Sequence, residues 1–393
     1  MSVEGEILIA LHRGQQRVEK VAISSSRPLQ LTTQFEGKSV NELLTLVPML
    51  YSVCATAQAC AAAQACRQAT GMDGDVRIEL AERMLVNVET AREHLWRLLI
   101  DWTKFVEQPV DRQLIRSMST LLPTAKKACF GDGGPFTLRP VLMLDGERFG
   151  SVIDMIARTA ADAVFTVPPA EWYAFATLEV FDRWLDQTST PSAILLRRIR
   201  DRQAGRLADA GSHPLPNIDP QALSRRLAEE DADRFIAAPE WKGAQLETTS
   251  LTRMASHPLM RRLSRRYGFG LMTRMVARLL ELASLPGRLR AQLGKLSEDQ
   301  IDGERKNPNM AETVGLGEVE AARGRLIHRV VVEKEKIAKY QILAPTEWNF
   351  HPRGVVAKGL GSLPAVEAPL LTEYADLFIN SVDPCVGYRL EVV

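Results

Sequence analysis

Polar and apolar residues alternate over Glu6–Ala10 and again over Arg17–Ile23, on either side of His12-Arg13-Gly14. A period of two marks a strand with one face buried, and a polar break between two such runs predicts an antiparallel hairpin. From about Val40 the period lengthens to that of a helix and runs into Cys54–Ala69, whose alanines and other small residues suit close packing. The most regular stretch is Asp75–Phe105. There Ile78, Ala81, Leu85, Val88, Leu95, Leu99 and Trp102 recur at helical steps, predicting one apolar stripe along a long helix. Shorter helices are predicted over Asp111–Ala128, Phe149–Ala161 and Ala170–Leu185. Arg202–Pro220, with its glycines, prolines and Asn217-Ile218-Asp219-Pro220 turn, reads as a surface connection. After Gly315 a second hairpin is predicted, Arg325–Val332 with Lys336–Leu343. The fold class is α+β and mainly helical, with a helical middle and small antiparallel sheets built from both chain ends.

Met260–Lys295 is the one strongly basic region: Arg261, Arg262, Arg265, Arg266, Arg274, Arg278, Arg288 and Arg290 accompany a single acid, Glu281. Met272, Met275, Val276, Leu279 and Ala283 form an apolar stripe beneath them. An amphipathic helix with a solvated basic face is the plain expectation, and a docking surface for an acidic protein the sharper one. Elsewhere charge is balanced: the formal net charge of the 393 residues is +1, which gives no reason to expect nucleic acid as a partner. The longest apolar stretch, Leu46–Cys66, is broken by Pro48, Ser52, Gln58 and Gln64 and falls short of the about 20 clean residues a membrane helix needs. The start, Met1-Ser2-Val3-Glu4-Gly5-Glu6, lacks the basic-then-apolar character of a signal peptide, so a cytoplasmic protein is expected. Five cysteines, Cys54, Cys60, Cys66, Cys129 and Cys385, imply no disulfide framework.

By spacing alone, Cys54 and Cys385 are two lone thiols 331 positions apart, and a lone cysteine is more often a small buried hydrophobe than a ligand. The residues around each change that. Leu50-Tyr51-Ser52-Val53-Cys54-Ala55-Thr56-Ala57-Gln58 resembles the Arg-Ile-Cys-Gly-Val-Cys-Pro-Thr-x-His motif of nickel–iron hydrogenase large subunits. Aligned so, Cys54 matches the second motif cysteine, which bridges nickel and iron; Tyr51 replaces the first, and Gln58 the histidine. Asp383-Pro384-Cys385-Val386-Gly387-Tyr388-Arg389-Leu390-Glu391 resembles Asp-Pro-Cys-x-x-Cys-x-x-His, with Tyr388 for the second cysteine and Glu391 for the histidine. Glu320-Ala321-Ala322-Arg323-Gly324 resembles Glu-Ala-Pro-Arg-Gly, whose arginine overhangs the metals. Tyr340–Asn349 with Pro352-Arg353 resembles Tyr-Gln-x-Val-x-Pro-Thr-Thr-Trp-Asn-x-x-Pro-Arg, placing Thr346 at a hydroxyl that bonds an iron cyanide. Val3-Glu4-Gly5-Glu6 resembles Ile-Glu-Gly-His, whose glutamate relays protons. Phe35-Glu36-Gly37 fits the same register and puts Thr32 where a magnesium-binding glutamate belongs.

The resemblance covers roughly the first 70 and last 80 residues. It implies one large-subunit-like domain over 1–393, with motif regions 1–70 and 311–393 around a helical middle, 71–310. One cysteine of each pair is missing, and two thiolates are too few for the soft four-sulfur nickel site, so no nickel and no hydrogen activation are expected. An iron that already carries two cyanides and a carbon monoxide, the Fe(CN)2(CO) unit, needs only two sulfurs. The implied set is Cys54 and Cys385 as iron ligands, with Arg323 and Thr346 as donors to the cyanides. Glu4 is either a vestigial proton relay or the partner of a basic neighbour. Cys385 also has a reading as part of a packed Asp-Pro-Cys turn, and Arg323 as the partner of a carboxylate such as Asp383. Cys60, Cys66 and Cys129 have no family counterparts and read as packing. The chain stops two residues after Glu391, where enzyme precursors carry a cleavable extension. Partial cysteine loss of this kind resembles the HupK/HoxV group of maturation proteins. It implies a non-catalytic scaffold for the iron unit, with HypC/HypD-type chaperones and the hydrogenase large-subunit precursor as partners. The alternative is a metal-free structural subunit of a hydrogenase-related redox complex.

Overall fold

The computed structural model describes residues 5–27, 29–72, 74–297, 304–305 and 313–393. Glu6–Arg13 (β1) and Val18–Ser25 (β2) form the predicted hairpin, with Ile9 opposite Ile23. Ile7, Ile9 and Leu11 enter the core while Leu8 faces out, as a period of two requires. Val40–Leu50 (α1) opens on a capping box in which Ser39 and Glu42 satisfy each other's backbone N–H. Ala55–Ala69 (α2) follows, then Val76–Trp96 (α3), started by the Asp75 carboxylate on the Arg77 and Ile78 amides. A π turn over Arg97–Asp101 carries α3 on to Phe105, so the predicted span Asp75–Phe105 is one rod.

The rod is not amphipathic in the expected sense. Its apolar stripe is buried, but so are Glu82, Glu89, Glu93 and His94 on the polar side. Their partners come from other elements, chiefly α2 and Leu271–Ser297 (α5), which packs along α3. Gly146–Ala160 (α4) packs beside both, close to the predicted Phe149–Ala161. The predicted Ala170–Leu185 is two helices, Pro169–Tyr173 and Leu178–Gln187. The predicted Asp111–Ala128 likewise divides into Arg112–Ser119 and Leu121–Phe130. Residues 202–220 are irregular as expected, yet Ala204, Ala208, Leu215 and Ile218 are buried, so this connection is pressed into the core rather than laid over it.

The basic region departs further from the expected solvated face. Arg261, Arg262, Arg265, Arg266, Arg288 and Arg290 are exposed, as a solvated face demands. Arg274 and Arg278 are buried: Arg274 pairs with Glu247 at 2.8 Å and Arg278 with Asp383 at 2.9 Å. The first half of α5 is enclosed on all sides, and its cations are retained because each meets a carboxylate from a distant segment.

The described residues hold two three-stranded sheets and a two-stranded ribbon of Gly74–Asp75 with Glu304–Arg305. Val314–Ala321 (β3), Gly324–Glu333 (β4) and Lys336–Leu343 (β5) make an antiparallel meander, the predicted hairpin plus an unforeseen first strand. Pro345–Asn349 (α6) and Ala368–Val382 (α7) lead to Gly387–Val392 (β6), which joins the N-terminal hairpin in the order β2–β1–β6. β6 runs parallel to β1, Ile7 opposite Tyr388 and Leu11 opposite Val392, so this sheet is mixed rather than wholly antiparallel. Among the described residues no helix is long and apolar enough to cross a membrane.

The contact that places α2 is made by glycine. A Cβ on Gly315 would lie 1.8 Å from the Ala65 carbonyl oxygen, and one on Gly317 would lie 2.0 Å from that of Ala61. Two strand residues advance ~6.7 Å and four helix residues ~6 Å, so alternate glycines of β3 meet the Ala61/Ala65/Ala69 ridge in step. We expect Gly317→Ala to destabilise the fold by ~3 kcal/mol, because backbone rather than a flexible side chain must yield. Gly294→Ala, in open space on α5, should be neutral or slightly stabilising. Chemical denaturation of both variants checks the assignment, and equal midpoints would contradict it.

Candidate functional site

Cys54 occupies the N-cap position of α2, with φ −125° and ψ 46°. The helix start beside it is capped by α3: Glu89 accepts from the Thr56 amide at 2.8 Å and the Ala57 amide at 2.9 Å. A carboxylate at the positive end of a helix is favourable, and it ties Cys54 to the central rod. The half-buried Cys54 sulfur accepts a hydrogen bond from Gln58 Nε2 at 3.6 Å.

Cys385 comes from the other chain end. α7 stops at Asp383, whose φ of +71° and ψ of 90° turn the chain back. A non-glycine residue there, before a proline, carries strain of about 1–3 kcal/mol that its surroundings must hold. Three guanidinium groups hold it: Arg97 Nε at 2.7 Å, Arg278 Nη1 at 2.9 Å and Arg323 Nε at 3.4 Å from the Asp383 oxygens. Burial raises the Asp383 carboxyl, but Arg323, Arg97 and Arg278 together bring it well below the usual carboxylate range. Beyond the turn the buried Cys385 meets Thr346 of α6, sulfur to hydroxyl at 2.8 Å, and its amide donates to the same hydroxyl at 3.3 Å.

Arg323 lies in the turn between β3 and β4. Asn349 of α6 donates to its carbonyl at 3.1 Å, locking the turn onto the Thr346 helix. Its buried guanidinium donates from Nη2 to Glu93 at 3.1 Å, while Nη1 has no hydrogen-bond partner among the described residues. Burial disfavours its charge, but Asp383, Glu93, Cys385 and Cys54 outweigh that and hold it firmly protonated. Burial, then Cys385 and then Glu89, raise the Cys54 thiol; Arg323 and the Gln58 hydrogen bond oppose them. The two cysteines thus lie within electrostatic reach of each other and of one guanidinium.

Cys54, Cys385, Arg323 and Thr346 therefore converge, although four separate elements supply them. Glu4 lies outside the described residues. Of the residues replacing family ligands, Tyr51 and Gln58 stay at the site, and Tyr388 and Glu391 leave it. The Tyr388 hydroxyl is tied to Asp376 at 3.0 Å, and Glu391 is exposed on β6. The pairing of Arg323 with Asp383 that the sequence left open is present. Cys60, Cys66 and Cys129 are buried in packing, as expected.

Sequence reasoning missed Arg27, whose guanidinium donates to Glu347 at 2.6 Å and lies 5.8 Å above the Tyr51 ring. Burial works against its charge, and Glu347, then Cys385 and Tyr51, more than restore it. Arg27, Thr32, Tyr51, Tyr340 and Glu347 also line a cavity of about 170 Å3 beside the site. Glu89 and Glu93 were missed as well. Their spacing with Glu82 along one face of α3 was the available signal, an acidic line opposite the apolar stripe.

The sequence and the fold both have counterparts among known proteins. The chain is 30% identical to the hydrogenase expression/formation protein HupK of Rhizobium leguminosarum bv. viciae, over 95% of this chain and 92% of that protein. It belongs to the HupK/HoxV family of hydrogenase expression/formation proteins. The HoxV protein of Cupriavidus necator is 28% identical over 94% of this chain and 92% of its own. Residues 203–386 match the nickel-dependent hydrogenase family. The Ni-Fe-Se hydrogenase from D. vulgaris Hildenborough superposes with a TM-score of 0.66 at 16% identity, covering 95% of this chain and 94% of that one. The fold of this HupK/HoxV family member is thus that of a hydrogenase large subunit, as its motifs implied.

Asp383→Ala should cost about 3–5 kcal/mol in chemical denaturation, because buried guanidinium groups lose their shared counter-charge; a loss under ~1 kcal/mol would show that the turn is held by other contacts. The buried His328 of β4 gives a pH dependence. Burial, and then the Arg27 charge, push its imidazole down to about 3, whereas in the unfolded chain it protonates near 6.5. The unfolded state therefore binds more protons between those values, and stability is lost as pH falls from about 6.5 towards about 3. His328→Gln should flatten that slope in denaturation series across the window.

Proposed function

We propose that this protein is a non-catalytic assembly factor for a nickel–iron hydrogenase, holding the Fe(CN)2(CO) unit as cargo between Cys54 and Cys385 before it passes to the large subunit. The single observation that carries the reading is Arg323: a buried, charged guanidinium within electrostatic reach of two thiols, whose Nη1 has no hydrogen-bond partner among the described residues. Leaving such a donor unpaired costs about 1–3 kcal/mol, more for a charged group, and a cyanide nitrogen is an acceptor of the kind it lacks.

The donor set fits the cargo. Two thiolates complete an iron that brings its own diatomic ligands, and the Thr346 hydroxyl stands against Cys385 where a second acceptor would be met. Iron with two cyanides and two thiolates carries net negative charge. Beside Cys385, Arg97, Arg278 and Arg323 gather on the single carboxylate Asp383, while Arg323 also meets Glu93 and Glu89 acts on Cys54. Nickel is not part of this reading, since tyrosines replace two of its thiolates in the sequence: Tyr51 offers a phenol, a poor soft ligand, and Tyr388 is turned away to Asp376. The relatives' names, hydrogenase expression/formation protein, support a role in assembly. In this reading the client is the large-subunit precursor, HypC/HypD-type chaperones deliver or collect the cargo, and the work is done in the reducing cytoplasm, consistent with five free cysteines.

Protein co-produced with its maturation partners should show infrared bands of metal-bound cyanide and carbon monoxide. Cys54→Ala and Cys385→Ala should each abolish them. Wild-type protein without such bands, recovered instead in a stable complex with an iron–sulfur subunit, would replace this reading with that of a metal-free structural subunit.

A further inference from the structure

We propose that Tyr340, His328 and Gln58 form a one-directional hydrogen-bond chain ending on the Cys54 sulfur, with Gln58 as the positioning residue of that ligand. The Tyr340 hydroxyl lies 2.5 Å from His328 Nδ1, His328 Nε2 lies 2.8 Å from Gln58 Oε1, and Gln58 Nε2 donates to Cys54 Sγ at 3.6 Å. All three relay side chains are buried, and they come from three elements, β5, β4 and α2.

The direction follows from the valences. A neutral imidazole has one N–H, and an amide oxygen can only accept. With Gln58 Oε1 facing Nε2, the proton is on Nε2, Nδ1 is bare, and the Tyr340 hydroxyl must donate to it. Every donor then points towards Cys54. A sulfur bound to a metal has no proton and can only accept, so the chain is ordered for a ligand sulfur.

α2 supplies its own comparison. Gln64 Nε2 donates to Cys60 Sγ at 3.5 Å, the same four-residue spacing on the same helix. Gln64 is half-buried at the edge of a surface groove, so that contact is helix geometry. Gln58 differs in being enclosed and backed by an imidazole. A core needs no polar trio here, and burying three such groups is tolerated only when they satisfy one another as a set. The set has one end at Cys54 and the other at Tyr340, which lines the cavity beside the site. Outer-shell partners of this kind fix the orientation of a ligand and tune its donor strength. A hydrogen bond into a thiolate withdraws electron density, so the iron receives less and passes less to its carbon monoxide.

The test has two arms, of which only the second rests on the cargo reading. With 15N-histidine labelling of the metal-free full chain, only six histidines contribute signals. His328 should show the Nε2–H tautomer with a slowly exchanging ring proton. Gln58→Leu should speed that exchange, and Tyr340→Phe, which removes only a hydroxyl and preserves packing, should change the tautomer ratio. An Nδ1–H tautomer in the wild type, or exchange unaltered in Gln58→Leu, overturns the chain. In the infrared arm, the carbon monoxide band should move to lower wavenumber in Gln58→Leu and by a smaller amount in Tyr340→Phe, two hydrogen bonds away. Wild-type bands that do not move in either variant overturn the positioning role. The absence of bands in wild type refutes the cargo and leaves the nitrogen-15 result to decide the chain.

Discussion

One buried carboxylate ties the chain ends to the middle. Asp383 closes α7, and its oxygens meet Arg97 from the π turn of the central rod, Arg278 from α5 and Arg323 from the β3–β4 turn. An ion cluster of this kind contributes little net stability compared with well-packed apolar residues, since desolvation offsets much of the attraction. What it confers is position. The carboxylate holds a backbone conformation that is otherwise unfavourable, and that conformation aims Cys385 at Thr346.

The central rod works to the same end from the other side. A helix with an acidic line opposite its apolar stripe would ordinarily expose the acids to water. Here the line is enclosed, and each member fixes a neighbour: Glu82 is bidentate to Arg67 of α2, Glu89 caps α2, and Glu93 reaches Arg323. Cys54 and Arg323 are thereby referenced to one rigid element, and the alternating glycines of β3 let α2 approach closely enough for this to happen.

Local pattern carried a good part of this architecture. The two hairpins, the long rod and the Ala-rich helix were legible because period two and period 3.6 survive wherever one face is buried. The motifs also named Cys54, Cys385, Arg323 and Thr346, which do converge. What pattern could not show is the burial of the second face. Arg274 and Arg278 look like any solvated cations until Glu247 and Asp383 arrive from elsewhere in the chain. The parallel pairing of β6 with β1 was invisible for the same reason, as strand direction is set by where the chain returns rather than by its residues. Arg27 gave no local sign either, since only the approach of Glu347 and Tyr51 explains a buried guanidinium there.

That parallel pairing has a consequence for how the protein is made. β1 is made long before β6, and one of its two edges is completed only when β6 arrives. The Val393 amide donates to Leu11 at 2.8 Å, sealing a contact of very long sequence separation. Such closures are slow, and until they form an open strand edge is available for pairing with other chains. The two cysteines consequently cannot meet until Cys385 has been made. The site is assembled only when segments far apart in the sequence join, and a chain cut before Cys385 would present Cys54 without its counterpart.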